Sequence, residues 1–274
     1  MSYSTIMVHL LAGQANDAVL SAATLLARRH KARLVGIAAT QPLPMLDSGF
    51  YDNSLSVAMM HGDMAQATAE AEAEFRGAFS SASDPVEWRS TWTCMALSDY
   101  ISGEARSADL ILTSPSPQTT FNSSVRVNIG ELILHAGCPV MVVPNTETVA
   151  AFDTIVIAWK DSREARRAVR DAVPLLKLAT NITIVEIAET NEVVTAQARV
   201  DDVAAWLARH GIMSSTHAAP SAGDDSETLE TIFGNEHADL IVAGAYGHSR
   251  MREWAFGGVT RSILGGTRCA LLSH

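Results

Sequence analysis

The chain is poor in the features that mark several large protein classes. Its three cysteines, Cys94, Cys138 and Cys269, are odd in number and widely spaced in 274 residues. That pattern excludes a disulfide-stapled scaffold, and without C-x-x-C pairs it argues against structural zinc, so reduced and mostly buried thiols are expected. Positive charge is scarce as well: 20 Lys and Arg face 30 Asp and Glu, leaving a formal net charge of −10. Such a balance repels phosphate backbones and anionic lipid unless basic residues cluster, and Arg163, Arg166, Arg167 and Arg170 are interleaved with acids. No nucleic acid and no membrane is expected among the partners. Nowhere do 18 apolar residues run together, and Met1-Ser2-Tyr3-Ser4-Thr5-Ile6 lacks the basic and apolar regions of a secretion signal. A cytoplasmic protein is the expectation.

What is present is a repeat at domain scale. Ala108-Asp109-Leu110-Ile111-Leu112 corresponds to Ala238-Asp239-Leu240-Ile241-Val242, an offset of 130 that holds without a gap to the end. Nearer the start of each half, Thr5-Ile6-Met7-Val8 meets Thr154-Ile155-Val156-Ile157 and Leu34-Val35-Gly36-Ile37 meets Ile184-Val185-Glu186-Ile187, at offsets of 149 and 150. The drop in offset places an insertion of about twenty residues in the first half, read as Gln41 to Gly62 with Met45, Phe50, Tyr51, Met59 and Met60. Such a segment covers core, or closes over an apolar pocket as a lid. Polar residues Pro144 to Ala151 join the halves, giving domains 1–145 and 152–274. Each half alternates short β-rich runs with helical stripes such as Arg163 to Leu178, which predicts α/β architecture with a five-stranded, mostly parallel sheet flanked by helices in each domain. Ligands in that architecture sit beyond the carboxyl ends of the strands, where the strand order reverses.

At the end of the strand Asp239 to Ala243 comes Gly244-Ala245-Tyr246-Gly247, then nine residues from His248, then Gly257-Gly258-Val259-Thr260 at a helix start. Glycines let backbone approach a ligand or adopt positive φ, and free amides at a helix start bind anions. Phosphate is the natural occupant, although glycines in a loop also serve plain turns. The loop is neither a Walker A sequence nor a dinucleotide fingerprint. Thr260 supplies a hydroxyl to a phosphoryl group or caps its helix. Trp159 stacks on a base or fills space between sheet and helix; Lys160 is a phosphate cation or a solvated side chain; His248 is a donor or a surface residue. Asp161 is the only nearby carboxylate. His9, His30, His135, His210, His217 and His237 show no metal-ligand pairing, and no Ser-His-Asp or Cys-His set converges.

The Gly-two-Gly-nine-Gly pattern, the repeat, and the run Ile157-Ala158-Trp159-Lys160-Asp161-Ser162-Arg163-Glu164-Ala165 together resemble the universal stress protein family, in its tandem form. The resemblance covers essentially the whole chain. It implies a Rossmann-like fold packed as a pseudo-dimer through the last strands, a stress-response or regulatory role, and ATP or AMP as cofactor, with magnesium as an optional companion. Carried over, Ala158, Trp159 and Lys160 meet adenine and ribose, Ile187 packs on the base, Ala243, Gly244, Gly247 and His248 line ribose and α-phosphate, and Gly257, Gly258, Val259 and Thr260 hold the outer phosphates. Lys160 stands where the family often has Asp, and Gly258 where it has Ser or Thr. Intramolecular pairing of domains is expected, with a homodimer allowed; chemistry is at most slow ATP hydrolysis or autophosphorylation. In the first half the motif is lost: Ser114, Pro117, Val127 and Asn128 replace its glycines, and Pro115 and Pro117 remove amide donors. That half is expected to be a scaffold. The alternative is a nucleotide-free interaction or small-molecule sensor module using the insertion of residues 41–62.

Overall fold

The computed structural model describes residues 2–42, 54–80, 86–115, 124–145, 151–247, 263–265 and 267–274. Apolar β-branched runs form strands, and the striped segments between them form helices. The first half runs β1 (Thr5–His9), α1 (Asp17–His30), β2 (Arg33–Thr40), α2 (Ser54–Ala78), β3 (Glu87–Trp92), α3 (Leu97–Glu104), β4 (Leu110–Thr113), α4 (Ile129–His135) and β5 (Val140–Val142). The second runs β6 (Thr154–Trp159), α5 (Arg163–Leu176), β7 (Asn181–Ala188), α6 (Val193–Arg209), β8 (Ser215–Pro220), α7 (Asp225–Asn235), β9 (Leu240–Gly244) and β10 (Cys269–Ser273). Residues 263–265 are helical too.

Five strands per half form one ten-stranded sheet in the order β3-β2-β1-β4-β5-β10-β9-β6-β7-β8. All pairings inside each half are parallel. Only β5 and β10 pair antiparallel, with Leu271 opposite Met141. Because side chains alternate across a strand, each face of the sheet carries its own core. One joins Ile6, Val8, Leu112, Met141, Leu271, Ile155 and Ile157 beneath α1 and α5; the other joins Met7, Ile111, Val140, Val142, Ala270, Leu272 and Val156 beneath α3, α4 and α7. Both run through the β5–β10 junction without a break. The strand order reverses between β1 and β4, and again between β6 and β9, so each half has one crevice of the expected kind.

Two expectations need correction. The insertion, expected at Gln41 to Gly62 between the second strand and the next helix, overlaps that helix: α2 starts at Ser54 and has 25 residues where α6 has 17, because Ser54 to Ala67 is rich in helix-compatible Ala, Met and Gln. Met45, Phe50 and Tyr51 lie outside the described residues. Nor are the thiols mostly buried: Cys269 is buried, Cys138 half-buried, and Cys94 exposed in the turn after β3.

The two halves fill equivalent places with different chemistry. On β2, a Cβ added to Gly36 would meet Trp88 Cε3 at 2.5 Å and Phe75 Cδ1 at 2.8 Å, so the missing side chain is what lets two aromatic rings close on the sheet. By ladder register the matching residue of β7 is Ile184, which lies opposite Ile157 as Gly36 lies opposite Val8; two residues further on, Glu186 is 1% exposed and held by Arg199, with Nε at 3.1 and 3.0 Å from its two carboxylate oxygens. At the end of β1, His9 is buried and its Nδ1 lies 2.8 Å from Thr113 Oγ1, whereas the matching residues of the second half are Ala158 and Ala243. Its Nε2 is buried without a partner among the described atoms.

Two outcomes follow. Gly36→Ala destabilises the chain by about 1–3 kcal/mol in urea denaturation, because the rings have no room to retreat. Burial lowers the His9 pKa to about 4 from 6.5, so the unfolded chain takes up the proton first as pH falls. Stability from this group is intact above about pH 6.5 and lost toward pH 4. Comparing denaturation at pH 7 and pH 5, His9→Gln shows a pH-dependent loss smaller than the parent's by about 2 kcal/mol.

Candidate functional site

The crevice of the second half opens where β6 and β9 end side by side. Ala158 and Ala243 are Cα partners in the parallel ladder. Alternation places both on the α7 face, where Ile187 also packs, so three of the expected contact residues share one apolar patch with small walls. Trp159 points the other way. It is 8% exposed and packed with Ile157, Ala165 and Ile184 beneath α5, so of its two readings the space-filling one holds. Lys160 follows it, exposed in the turn.

Beyond β9 the chain bends over the start of α5. A Cβ on Gly244 would fall 2.4 Å from Ala165 N and 2.8 Å from Ala165 Cα, so the helix backbone lies directly on this glycine. A Cβ on Gly247 would meet Glu164 Oε2 at 2.9 Å and Ser162 Oγ at 3.1 Å. Space, not positive φ, is what these positions require. The left-handed residue of the turn is Tyr246, with φ 64°, a conformation costing a side-chain-bearing residue about 1–2 kcal/mol. The turn is pinned from below, where Ala245 N donates to Ser273 O at 2.9 Å.

Helix α5 starts at a serine cap: Ser162 Oγ accepts from Ala165 N at 3.2 Å. The next acid, Glu164, is 3% exposed and folds back against the glycine turn. Burial alone would raise its pKa, but hydrogen bonds from Arg163, from its own amide and from Ser162 outweigh that and hold it below the usual carboxylate range. Asp161, the carboxylate singled out from sequence, is exposed and pairs with Arg166. Glu164 is therefore the carboxylate of this turn, and sequence reading missed it. The clue was available: an acid two residues after a capping serine lies in the first helical turn, where the helix end attracts negative charge. Arg199, anchored on Glu186, has its pKa raised: the Glu186 hydrogen bonds raise it first of all, burial opposes them, and the charges of Glu186, Asp161 and Glu192 add to the rise.

His248, Gly257, Gly258, Val259 and Thr260 lie outside the described residues, as does Pro117 in the first half. There the equivalent strand ends carry larger side chains. His9 and Thr113 occupy the places of the two alanines, Ser114 replaces Gly244, and Asn128 Oδ1 accepts from Glu131 N at 3.3 Å, capping α4 where the second half has Gly258. Outside the insertion's uncharted part, Met59, Trp92 and Met95 are exposed, and His61 meets the Trp92 ring edge-on at 5.1 Å. An open cleft of about 510 Å³ lies in the first half between the β1–α1 turn and α2, lined by Asn16, Asp17, Glu70 and Glu74, away from the crevice described above. Among the described residues no group of His, Cys, Asp or Glu is arranged to hold a metal ion. No described helix is long and apolar enough to cross a membrane.

No family model matches the sequence, and no curated protein does. Solved structures match over the full length. A universal stress protein from Archaeoglobus fulgidus DSM 4304 aligns with TM-score 0.76 at 14% identity, covering 98% of this chain and 95% of that one. A functionally unknown protein from Pseudomonas aeruginosa PAO1 aligns with TM-score 0.62 at 15% identity, covering 99% and 92%. A protein of Pseudomonas aeruginosa UCBPP-PA14, provisionally described as a universal stress protein, gives 0.63 at 15%, covering 99% and 93%. Identities this low speak for architecture alone. The chain has the fold of the universal stress proteins, laid down twice in tandem along one polypeptide.

Proposed function

We propose that the second half, residues 152–274, binds one adenine nucleotide, ATP or AMP, and that the protein serves a stress-response or regulatory role through that binding. The observation that carries this reading is the glycine turn at the reversal point of the sheet. Gly244 and Gly247 bring backbone to the end of β9 beside the small patch of Ala158, Ala243 and Ile187. The described residues fit the adenosine part of such a ligand: a flat apolar patch suits a base, and exposed backbone with Lys160 suits polar groups at its edge. His248, Gly257, Gly258, Val259 and Thr260 complete the set in this reading. The nucleotide supplies a charged handle; the chain binds and orients it, and the reading requires no turnover.

The first half, residues 1–145, acts as the partner domain. Its His9–Thr113 pair stands where the second half has Ala158 and Ala243, and Asn128 caps α4 where the second half has Gly258, which supports a single site per chain. The exposed group of Met59, Trp92 and Met95 favours one second reading, a nucleotide-free module that takes an apolar ligand or partner on the first half.

Isothermal titration of the purified chain with ATP and with AMP decides between them. Binding with one site per chain is expected, and Gly247→Val weakens it at least about tenfold, because a branched side chain displaces Glu164 and narrows the turn. Absence of heat with both nucleotides, together with an apolar compound retained through purification, selects the second reading.

A further inference from the structure

The glycine turn is gripped from the end of β10. Ser273 is the Cα partner of Gly244 in the β9–β10 ladder, and Ser273 O accepts from Ala245 N at 2.9 Å. One residue further, His274 Nδ1 lies 3.1 Å from Ala245 O, so this ring nitrogen carries the hydrogen and donates it. Both backbone polar groups of Ala245 are thus held by two successive residues. The His274 ring also meets the Tyr246 ring edge-on, with centroids 6.3 Å apart. His274 is itself fixed at the seam of the halves: Arg167 Nη1 donates to its O at 2.7 Å, and Nη2 of the same guanidinium reaches Gly137 O in the first half. The first half lacks the residues for such a grip. Under the offset of 130, Ala245 matches Pro115 and His274 matches Pro144. A proline offers neither an amide hydrogen nor a side-chain donor. The grip therefore goes with the small-walled crevice, not with its crowded counterpart.

Resting on the nucleotide reading, we propose that His274 is a positioning residue for the ligand of the second half: its Nδ1–H holds the Ala245 carbonyl, and through it the left-handed Tyr246, so that Gly247 stays where the ribose meets backbone. The carbonyl of Ala245 and the amide of Tyr246 share one rigid plane, so a bond to the carbonyl restrains rotation at Tyr246. Tyr246 needs that restraint, because at φ 64° its side chain favours relaxation to a commoner conformation. Gly247 is the next residue and moves with any such relaxation. His274 acts through the turn rather than on the ligand.

The test is the affinity for AMP and for ATP, with hydrogen exchange of the free chain, in the parent, His274→Phe and His274→Asn. Phe keeps a ring against Tyr246 without a donor; Asn keeps an amide donor near the place of Nδ1 without the ring. His274→Phe is expected to weaken both nucleotides by the same factor of about five, since the ribose is common to them. It also speeds exchange of the Tyr246 and Gly247 amides, while those of β9 and β10 exchange as in the parent, which a general loosening of the fold does not do. His274→Asn stays within about twofold of the parent in affinity and keeps the turn protected. A melting curve shows that each variant is folded at the titration temperature. If His274→Phe binds as tightly as the parent, or His274→Asn loses as much as His274→Phe, the inference is overturned and the nucleotide reading stands. If the parent binds neither nucleotide, the nucleotide reading fails and takes the inference with it.

Discussion

Helix α5 rests on Gly244, and much else in the second half depends on that contact. With Ala165 N at 2.4 Å from the missing Cβ, no other residue leaves the helix where it is. Its place fixes the serine cap, the cap fixes the first turn, and the first turn aims Glu164 at Gly247. The apolar stripe of α5, Ala165, Ala168, Val169, Ala172, Val173 and Leu176, then lies flat on β6 and β9. A glycine at a strand end thus sets both the packing of a fourteen-residue helix and the charge of the crevice above it.

The junction of the halves is held by more than its short strands. β5 contributes only three residues, too few for a stable edge by themselves. Around it, Tyr3 donates to Asp171 O at 2.7 Å, Ser273 donates to the Asp171 carboxylate at 2.8 Å, and Arg167 reaches both His274 O and Gly137 O at 2.7 and 2.5 Å. Arg29 and Asp153 add an ion pair at 3.3 Å between the halves, worth little alone because both are partly exposed. The greater contribution is apolar: Met141 and Leu271 on one face, and Val140, Val142, Ala270 and Leu272 on the other, continue the two cores across the seam. Pairing β5 with β10 also removes two open sheet edges at once.

The central strands were legible because they are nearly continuous apolar runs, and the repeat fixed most of their equivalences; on β2 and β7 the ladder moves the match by two residues, since Leu34 lies opposite Ile6 where Ile182, not Ile184, lies opposite Ile155. The end of a helix is less legible. Residues 54–62 fall in the insertion expected ahead of the helix, although their Ala and Met content continues that helix. Site residues divided the same way. Ala158, Ile187 and Ala243, expected from the family resemblance, share one face because alternation decides which face a strand residue takes. Asp161 and Glu164 were confused because a carboxylate's direction in a turn depends on helix phase, and that phase is set by a glycine eighty residues further along the chain. Nothing in local sequence reports that contact. Cys94 illustrates a different loss: a thiol at the end of an edge strand is exposed, and the edge is a property of the whole sheet order.

Divergence between the halves follows a physical rule. Where the first half has a small residue, the second has a large one, and the reverse. Gly36 admits Phe75 and Trp88 against β2, while Ile184 stands at the matching register of β7. At the crevice the exchange runs the other way: His9, Thr113 and Ser114 stand where Ala158, Ala243 and Gly244 do. A buried histidine whose Nε2 has no partner among the described atoms is costly, and it persists only where the space must be filled. The first half has closed its crevice with side chains and kept its sheet; the second has kept the crevice small-walled and moved its bulk to the opposite face, under Trp159. One fold repeated twice thus differs between its copies by a handful of exchanges on its strands, which leave larger side chains at one crevice and smaller ones at the other.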